Sequence, residues 1–282
     1  MDNQTSTEPT QTIPMTSAHD GLVQRLTEDV VCYTDKIVNV YFVGNPSEPH
    51  EWFLVDCGIS RKADVILSAL KTEFGEAHPP KMIVLTHGHF DHVGAAYELA
   101  SHWNVKAYCH KAELPFVTGK QDYPKPDPTV EGGMVAKISG AFPYQAINLN
   151  PFIEELPESE KIDGFSDWGW IHTPGHSPGQ IALYRERDGA LLSADAIITV
   201  KQDSLYDVIT QSEQLQGPPR YLTTDWHAAK KSAELLQDLQ PNFIGPGHGL
   251  PMFGEEFKND LKRLVSEFDQ VAIPDYGKYT DQ

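Results

Sequence analysis

Met82-Ile83-Val84-Leu85-Thr86-His87-Gly88-His89-Phe90-Asp91-His92-Val93-Gly94-Ala95-Ala96 carries three histidines and an aspartate within six positions, in a chain with only 12 histidines. Met82 to Leu85 reads as a buried strand, Gly88 as a sharp turn, and Gly94 onward (Ala95, Ala96, Leu99, Ala100) as a helix. The polar side chains therefore fall on the loop at the carboxyl end of a strand, where α/β layouts commonly build sites on a rigid scaffold. A solvated loop with ordinarily hydrogen-bonded histidines is the plainer reading, but it leaves the density of H-x-H-x-D-H unexplained. Imidazole together with carboxylate suits zinc, iron or manganese, whereas calcium takes oxygen ligands.

Three further candidates each follow a strand-like run. His176 lies in H-T-P-G-H-S-P-G after Trp168 to Ile171, Asp195 in L-L-S-A-D-A after Ala190 to Ser193, and His248 in I-G-P-G-H-G after Asn242 to Ile244. Small Gly and Pro residues around His176 and His248 let those loops approach a common centre. Singly, each reads equally well as a turn histidine or a strand-end carboxylate. Jointly with the first cluster they read as one metal centre.

Strand-like runs at Val30 to Tyr33, Ile37 to Val43 and Trp52 to Val55 suggest a meander, followed by a helix over Arg61 to Phe74, the His-bearing loop, a helix near Ala95 to His102 and a strand at Val105 to Tyr108. Residues 121–166 break this alternation with scattered prolines and with Phe142, Tyr144 and Phe152, and are expected to form an insertion acting as a lid, or else a structural cover or a homodimer contact. Strands resume at Trp168, Gln180 and Ala190, the last two joined by a turn at Arg187-Asp188-Gly189. Thr224 is expected to cap one late helix, and Glu255 to Ala272 to form another. Residues 1–20 are expected to be a mobile tail, with Met15 an alternative start, and 21–282 a single domain.

Forty acidic residues against 22 basic ones give a formal net charge of −18, which disfavours nucleic acid and anionic membranes as partners and leaves a small-molecule substrate. No apolar run approaches the roughly 20 residues needed to span a bilayer, and the first 20 residues do not resemble a signal peptide. Cys32, Cys57 and Cys109 are odd in number and widely spaced, so neither a disulfide framework nor a thiolate zinc site is expected, and a reducing cytoplasm fits best. The oligomeric state is not fixed by the sequence.

The order H-x-H-x-D-H, then His in T-P-G-H-S-P-G, Asp after an apolar strand, and His in G-H-G resembles the metallo-β-lactamase superfamily of metal-dependent hydrolases, from about Asp29 to Phe268. Leu54-Val55-Asp56-Cys57-Gly58-Ile59-Ser60 resembles the family's strand and Asp-x-Gly turn. The resemblance implies an α/β fold, a four-layer αββα sandwich with the site along one edge. It also implies that His87, His89 and His176 bind one metal, Asp91, His92 and His248 a second, and that Asp195 bridges them, with Asp56 supporting the ligands. Two zinc ions, with iron or manganese as alternatives, would then activate water, and Asp91 would take up a proton from it.

Within the family, Asp195 argues against B3-type β-lactamases, which generally lack the bridging aspartate. Acyl-homoserine lactonases carry a tyrosine three residues after it, where this chain has Ile198; Tyr123, Tyr144 or Tyr206 would have to supply the substrate contact and proton. Glyoxalase II resembles the ligand order but adds a helical domain not evident here. The expected activity is hydrolysis of a small ester, lactone or thioester. A lactonase, a mononuclear-iron persulfide dioxygenase and a non-catalytic metal-binding scaffold are the alternatives.

Overall fold

Alternating apolar residues on short strands decide the layering. The computed structural model describes residues 16–60, 62–211 and 213–280, so most of the expected tail, Met15 and Arg61 lie outside the described residues. Ser17 and Ala18 donate their backbone N–H to Lys36 and Ile209, at 3.1 and 2.9 Å. One sheet runs in chain order through β1 (Val23–Thr27), β2 (Val30–Asp35), β3 (Val38–Gly44), β4 (Trp52–Val55), β5 (Ile83–Val84), β6 (Ala107–Cys109) and β7 (Ile153–Glu155). The first four are antiparallel and the rest parallel. The other comprises β8 (Lys161–Ile162), β9 (Phe165–His172), β10 (Ile181–Arg185), β11 (Ala190–Ala194), β12 (Phe243–Pro246) and β13 (Met252–Phe253), in the order β13-β12-β11-β10-β9-β8.

Successive strand side chains point to opposite faces. Val30, Cys32, Tyr41 and Val43 accordingly meet Trp168, Leu183, Leu192 and Phe243 between the sheets. Val31, Tyr33, Val40 and Phe42 face outward, against α1 (Ala63–Phe74) and α2 (Ala96–Trp103) through Ile66, Leu70 and Leu99. On the far side Ala182, Leu191 and Ile244 pack under α6 (Trp226–Asp238) and α7 (Gly254–Ser266) through Trp226, Ala233, Phe257 and Leu261. The result is the expected αββα sandwich. The shorter helices α3 (Leu114–Val117), α4 (Met134–Ile138), α5 (Leu205–Thr210) and α8 (Phe268–Val271) complete the chain.

Several local readings change. Asp225, not Thr224, caps α6, its side chain accepting from Ala228 N at 2.8 Å. The helix expected over 255–272 is interrupted at Glu267, between α7 and α8. The stretch 121–166 is not wholly outside the sandwich: its first part holds α4, while its second part supplies edge strands β7 and β8, one to each sheet. Among the described residues, no helix is long and apolar enough to cross a membrane.

The connectivity brings certain strand ends to one edge. β9 and β11 are both antiparallel to β10, and β12 is parallel to β11, so β9, β11 and β12 point the same way. Asn39 at the start of β3 links this edge to the other sheet: its backbone N–H donates to Gly247 O at 2.8 Å and its side chain to Pro246 O and Gly249 O at 3.0 and 2.7 Å. The chain around His248 is thereby fastened to the first sheet.

Candidate metal centre

All seven expected ligand residues lie at that edge, each 5% exposed or less. His87, His89, Asp91 and His92 follow β5, His176 follows β9, Asp195 directly follows β11, and His248 follows β12. Their donor atoms form three overlapping groups, each with its atoms within 4.8 Å of one another: His87, His89, His176; His87, His92, Asp195; and Asp91, His92, His248. Asp195 stands between the others, with Oδ2 3.4 Å from His176 Nε2 and 3.2 Å from His248 Nε2, and Oδ1 3.4 Å from His92 Nε2. The glycine next to His248 makes this approach feasible, since a Cβ on Gly247 would lie 2.0 Å from Asp195 Oδ1.

Partners behind the imidazoles fix which nitrogen is free. Thr86 Oγ1 donates to Asp56 Oδ2 at 2.7 Å, so it accepts from His87 Nδ1 at 3.1 Å. Thr223 Oγ1 donates to Pro219 O at 2.8 Å and likewise accepts from His176 Nδ1 at 3.1 Å. The Nδ1–H of His92 is donated to Asp56 Oδ2 at 2.7 Å, and that of His248 to Ile37 O at 2.8 Å. In all four rings Nε2 is left facing the cluster, which is how second-layer acceptors orient metal-binding imidazoles. His89 differs by turning Nδ1 inward, 2.9 Å from His176 Nε2.

Burial pushes His87 and His89 well below the ordinary imidazole value, and His176 down to about 4. These three keep a lone pair available. At His248 burial acts the same way but the Asp195 and Asp91 carboxylates outweigh it and hold it up at about 10. Burial also pushes the Asp195 carboxyl upward, yet His248 and His92 hold it well below its usual range. Two buried carboxylates thus demand positive charge among the rings. His87 Nε2, His92 Nε2, Asp91 Oδ1 and Asp195 Oδ1 are buried with no hydrogen-bond partner. Such atoms are costly unless something outside the protein satisfies them, so the donor set fits divalent metal ions.

Of the three tyrosines considered from sequence, Tyr123 is buried with its ring centroid 4.5 Å from that of His89, but its hydroxyl is engaged by Gly88 N at 3.0 Å and by Glu113. Tyr144 is half-buried under Lys125, whose Nζ lies 5.4 Å from the ring centroid, and Tyr206 is 73% exposed on α5. Gly88 does not take a left-handed turn; it is small because a Cβ there would meet the Tyr123 hydroxyl at 2.6 Å. Sequence reasoning missed Thr223, Glu113 and Tyr221. Tyr221 is 4% exposed, and burial together with the nearby Asp91 and Asp195 charges keeps its phenol well above the ordinary value, hence neutral. Phe90, between two ligand positions, packs on Phe142 (centroids 5.8 Å apart), which in turn meets Tyr221 at 5.5 Å. Ile37, Val130, Val135, Val208 and Leu222 complete this apolar cluster beside the ligand loop.

The model of the Metallo-beta-lactamase superfamily matches residues 33–248. The probable metallo-hydrolase YflN of Bacillus subtilis (strain 168) is 42% identical over 259 residues, covering 92% of this chain and 98% of that protein. The hydroxyacylglutathione hydrolase GloC of Haemophilus influenzae is 29% identical over a shorter region, 42% of this chain and 50% of that one. Among solved structures, TTHA1623 in a di-iron-bound form has a TM-score of 0.51 at 23% identity, covering 83% of this chain and 93% of that one. Sequence and fold agree: the chain belongs to the metallo-β-lactamase superfamily.

Proposed function

We propose that the protein is a metal-dependent hydrolase with a dinuclear centre that cleaves a small ester, lactone or thioester. The reading is carried by the convergence of seven buried imidazole and carboxylate side chains whose free donor atoms face one another. His87, His89 and His176 would hold one ion, Asp91, His92 and His248 the other, and Asp195 would bridge, with zinc the first choice and iron or manganese compatible with the same N and O donors. Two ions so held would supply Lewis acidity and lower the pKa of a shared water toward neutrality. Asp91 Oδ1, buried and without a partner, is available to accept the proton given up as water attacks. Asp56 and Thr86 hold His92 and His87 in the tautomers that leave Nε2 free.

The apolar cluster of Phe90, Phe142, Val208 and Leu222 supports a substrate with an uncharged apolar portion, and part of the 121–166 stretch would then act as the lid. GloC is named as a hydroxyacylglutathione hydrolase, and a −18 chain suits small molecules of low charge better than polyanions. A lactonase is the second reading, favoured by Tyr221, a buried neutral phenol near Asp91 and Asp195 that offers a donor although position 198 is isoleucine. Three buried unpaired cysteines suit a reducing compartment. The test is a panel of aryl esters, acyl-homoserine lactones, thioesters, a β-lactam and phosphodiesters on zinc-, iron- and manganese-loaded protein. Turnover independent of metal on every substrate overturns the proposal.

A further inference from the structure

We propose that Glu113 is a positioning residue that sets the donor group His87, His89 and His176 by tying together the two loops that carry it. The inference rests on the metallohydrolase reading of that site. Glu113 lies between β6 and α3, is fully buried, and touches none of the reacting region directly. Its Oε1 accepts from Ser177 Oγ at 2.8 Å and from Gly179 N at 2.7 Å, on the loop between β9 and β10 that carries His176. Its Oε2 accepts from Gly88 N at 3.0 Å, between His87 and His89, and from the Tyr123 hydroxyl. One carboxylate therefore joins two ligand loops and the 121–166 stretch.

No lysine, arginine or histidine pairs with Glu113 among the described ion pairs, so its charge is met by four hydrogen-bond donors, two of them backbone N–H groups that cannot rotate away. Burying a carboxylate without a cation is expensive, and such a group persists where its acceptors are needed in a fixed geometry. Both glycines of the arrangement serve it. A Cβ on Gly179 would lie 2.8 Å from Glu113 Cγ, and one on Gly88 would strike Tyr123 and, at 2.7 Å, Val117. Tyr123 extends the same tie to the His89 ring it lies against.

The Glu113→Gln variant keeps the volume but supplies one carbonyl oxygen and one NH2. The hydroxyls of Ser177 and Tyr123 can turn to accept from the amide; Gly88 N–H and Gly179 N–H cannot, so one of them must face a donor. One loop is then held less firmly: either Gly179 N–H loses its acceptor, or Gly88 N–H keeps only the Tyr123 hydroxyl at 3.0 Å. The experiment loads wild-type, Glu113→Gln and Tyr123→Phe proteins with cobalt(II), records the visible spectrum, and follows metal loss to a chelator. The expected result is an altered spectrum and about 10- to 100-fold weaker retention of one ion in Glu113→Gln, on the scale of other ligand-supporting residues, with a smaller change of the same kind in Tyr123→Phe. Asp29→Asn, at the opposite edge, serves as a destabilised control and should leave the spectrum unchanged.

A Glu113→Gln protein with wild-type spectrum and retention overturns the positioning role. Should that variant not fold, Tyr123→Phe decides, and an unchanged spectrum there overturns the proposal equally. Wild-type protein that binds no cobalt instead removes the metallohydrolase reading on which it rests.

Discussion

The Asp56 carboxylate accepts the Nδ1–H of His92 at 2.7 Å and, through its other oxygen, the backbone N–H of Thr86 at 2.8 Å. Thr86 Oγ1 also donates to it and passes the constraint to His87. One aspartate at the end of β4 thus orients one ring from each expected metal position. In Asp56→Asn the amide must turn its NH2 toward at least one of these donors. We expect metal affinity or kcat/KM to fall about 10- to 100-fold, as for other residues behind a ligand. Equilibrium dialysis with metal analysis checks it, and an Asp56→Asn protein with unchanged affinity contradicts the role.

Metal content and stability should move together. Purified protein is expected to hold close to two ions per chain, and His87→Ala fewer. Removing them with a chelator should lower Tm, because ions bound only by the folded state add about 2.7 kcal/mol when present at 100 times their Kd. Calorimetry before and after chelation measures this; an unchanged Tm with full loss of metal speaks against a centre built into the fold.

Asp195→Ala should disrupt the centre far more than loss of a surface carboxylate, since Asp195 approaches three imidazoles within 3.4 Å. Asp188, although in a hairpin turn, is no inert control: it pairs with fully buried Arg185 at 2.7 Å. Exposed Glu158 serves instead. Equal metal content and turnover in Asp195→Ala and Glu158→Ala would remove the bridging assignment.

The loops that bring the candidate residues together were legible in sequence because histidines are scarce and each candidate follows an apolar run that forms a strand. The layering followed from period-two alternation at residues such as Val30 to Tyr33. What escaped notice was carried by common residue types acting across long separations. Thr223 supports His176 from 47 positions away, and Glu113 reaches Ser177 across 64. No local spacing signals such a pairing. Strand β1 and helix α5 were likewise missed: β1 has only partly buried or exposed residues, and α5 is six residues long. Gly88 was recognised for the wrong physical reason, a turn rather than the room needed by Tyr123.

Asp29 and Arg185 tie the far edge together. Arg185 is fully buried, lies 4.6 Å over the Trp168 ring, and meets Asp29 at 2.8 Å. Burial pushes the Asp29 carboxyl upward, but hydrogen bonds from Arg185 and Thr27 outweigh it and hold it below the ordinary carboxylate value. A depressed folded value means the contribution is present above the unfolded pKa and lost as pH falls through the folded one. With Asp29 34% exposed, Asp29→Asn should cost about 1–2 kcal/mol at pH 7, discounted for screening. That difference from wild type should shrink below about pH 4. Urea unfolding of metal-free protein at both pH values tests it, and a pH-independent difference contradicts it.

The cover over the ligand loop should decide which substrates enter. Removing residues 121–166 outright would also remove β7, β8 and Tyr123, so a point change is the sharper probe. Phe142 contacts both Phe90 and Tyr221 and is 7% exposed. Phe142→Leu keeps most of the apolar volume, at an expected stability cost under about 1.5 kcal/mol, while removing the aromatic contacts. A group that shapes the pocket must alter transition-state binding for some substrate. We expect kcat/KM to fall about 10-fold for esters or lactones with long apolar acyl chains and to change little for acetyl esters, with metal content unaltered, because one fewer apolar contact of this kind discriminates by about 1–3 kcal/mol. Phosphodiesters should be poor substrates for either protein, given a net charge of −18. If Phe142→Leu lowers every kcat/KM by the same factor, the residue supports the fold and not selection. Phosphodiesters leading the panel would mean that local charge at the centre overrides the acidic surface, and the proposed substrate class would have to be abandoned.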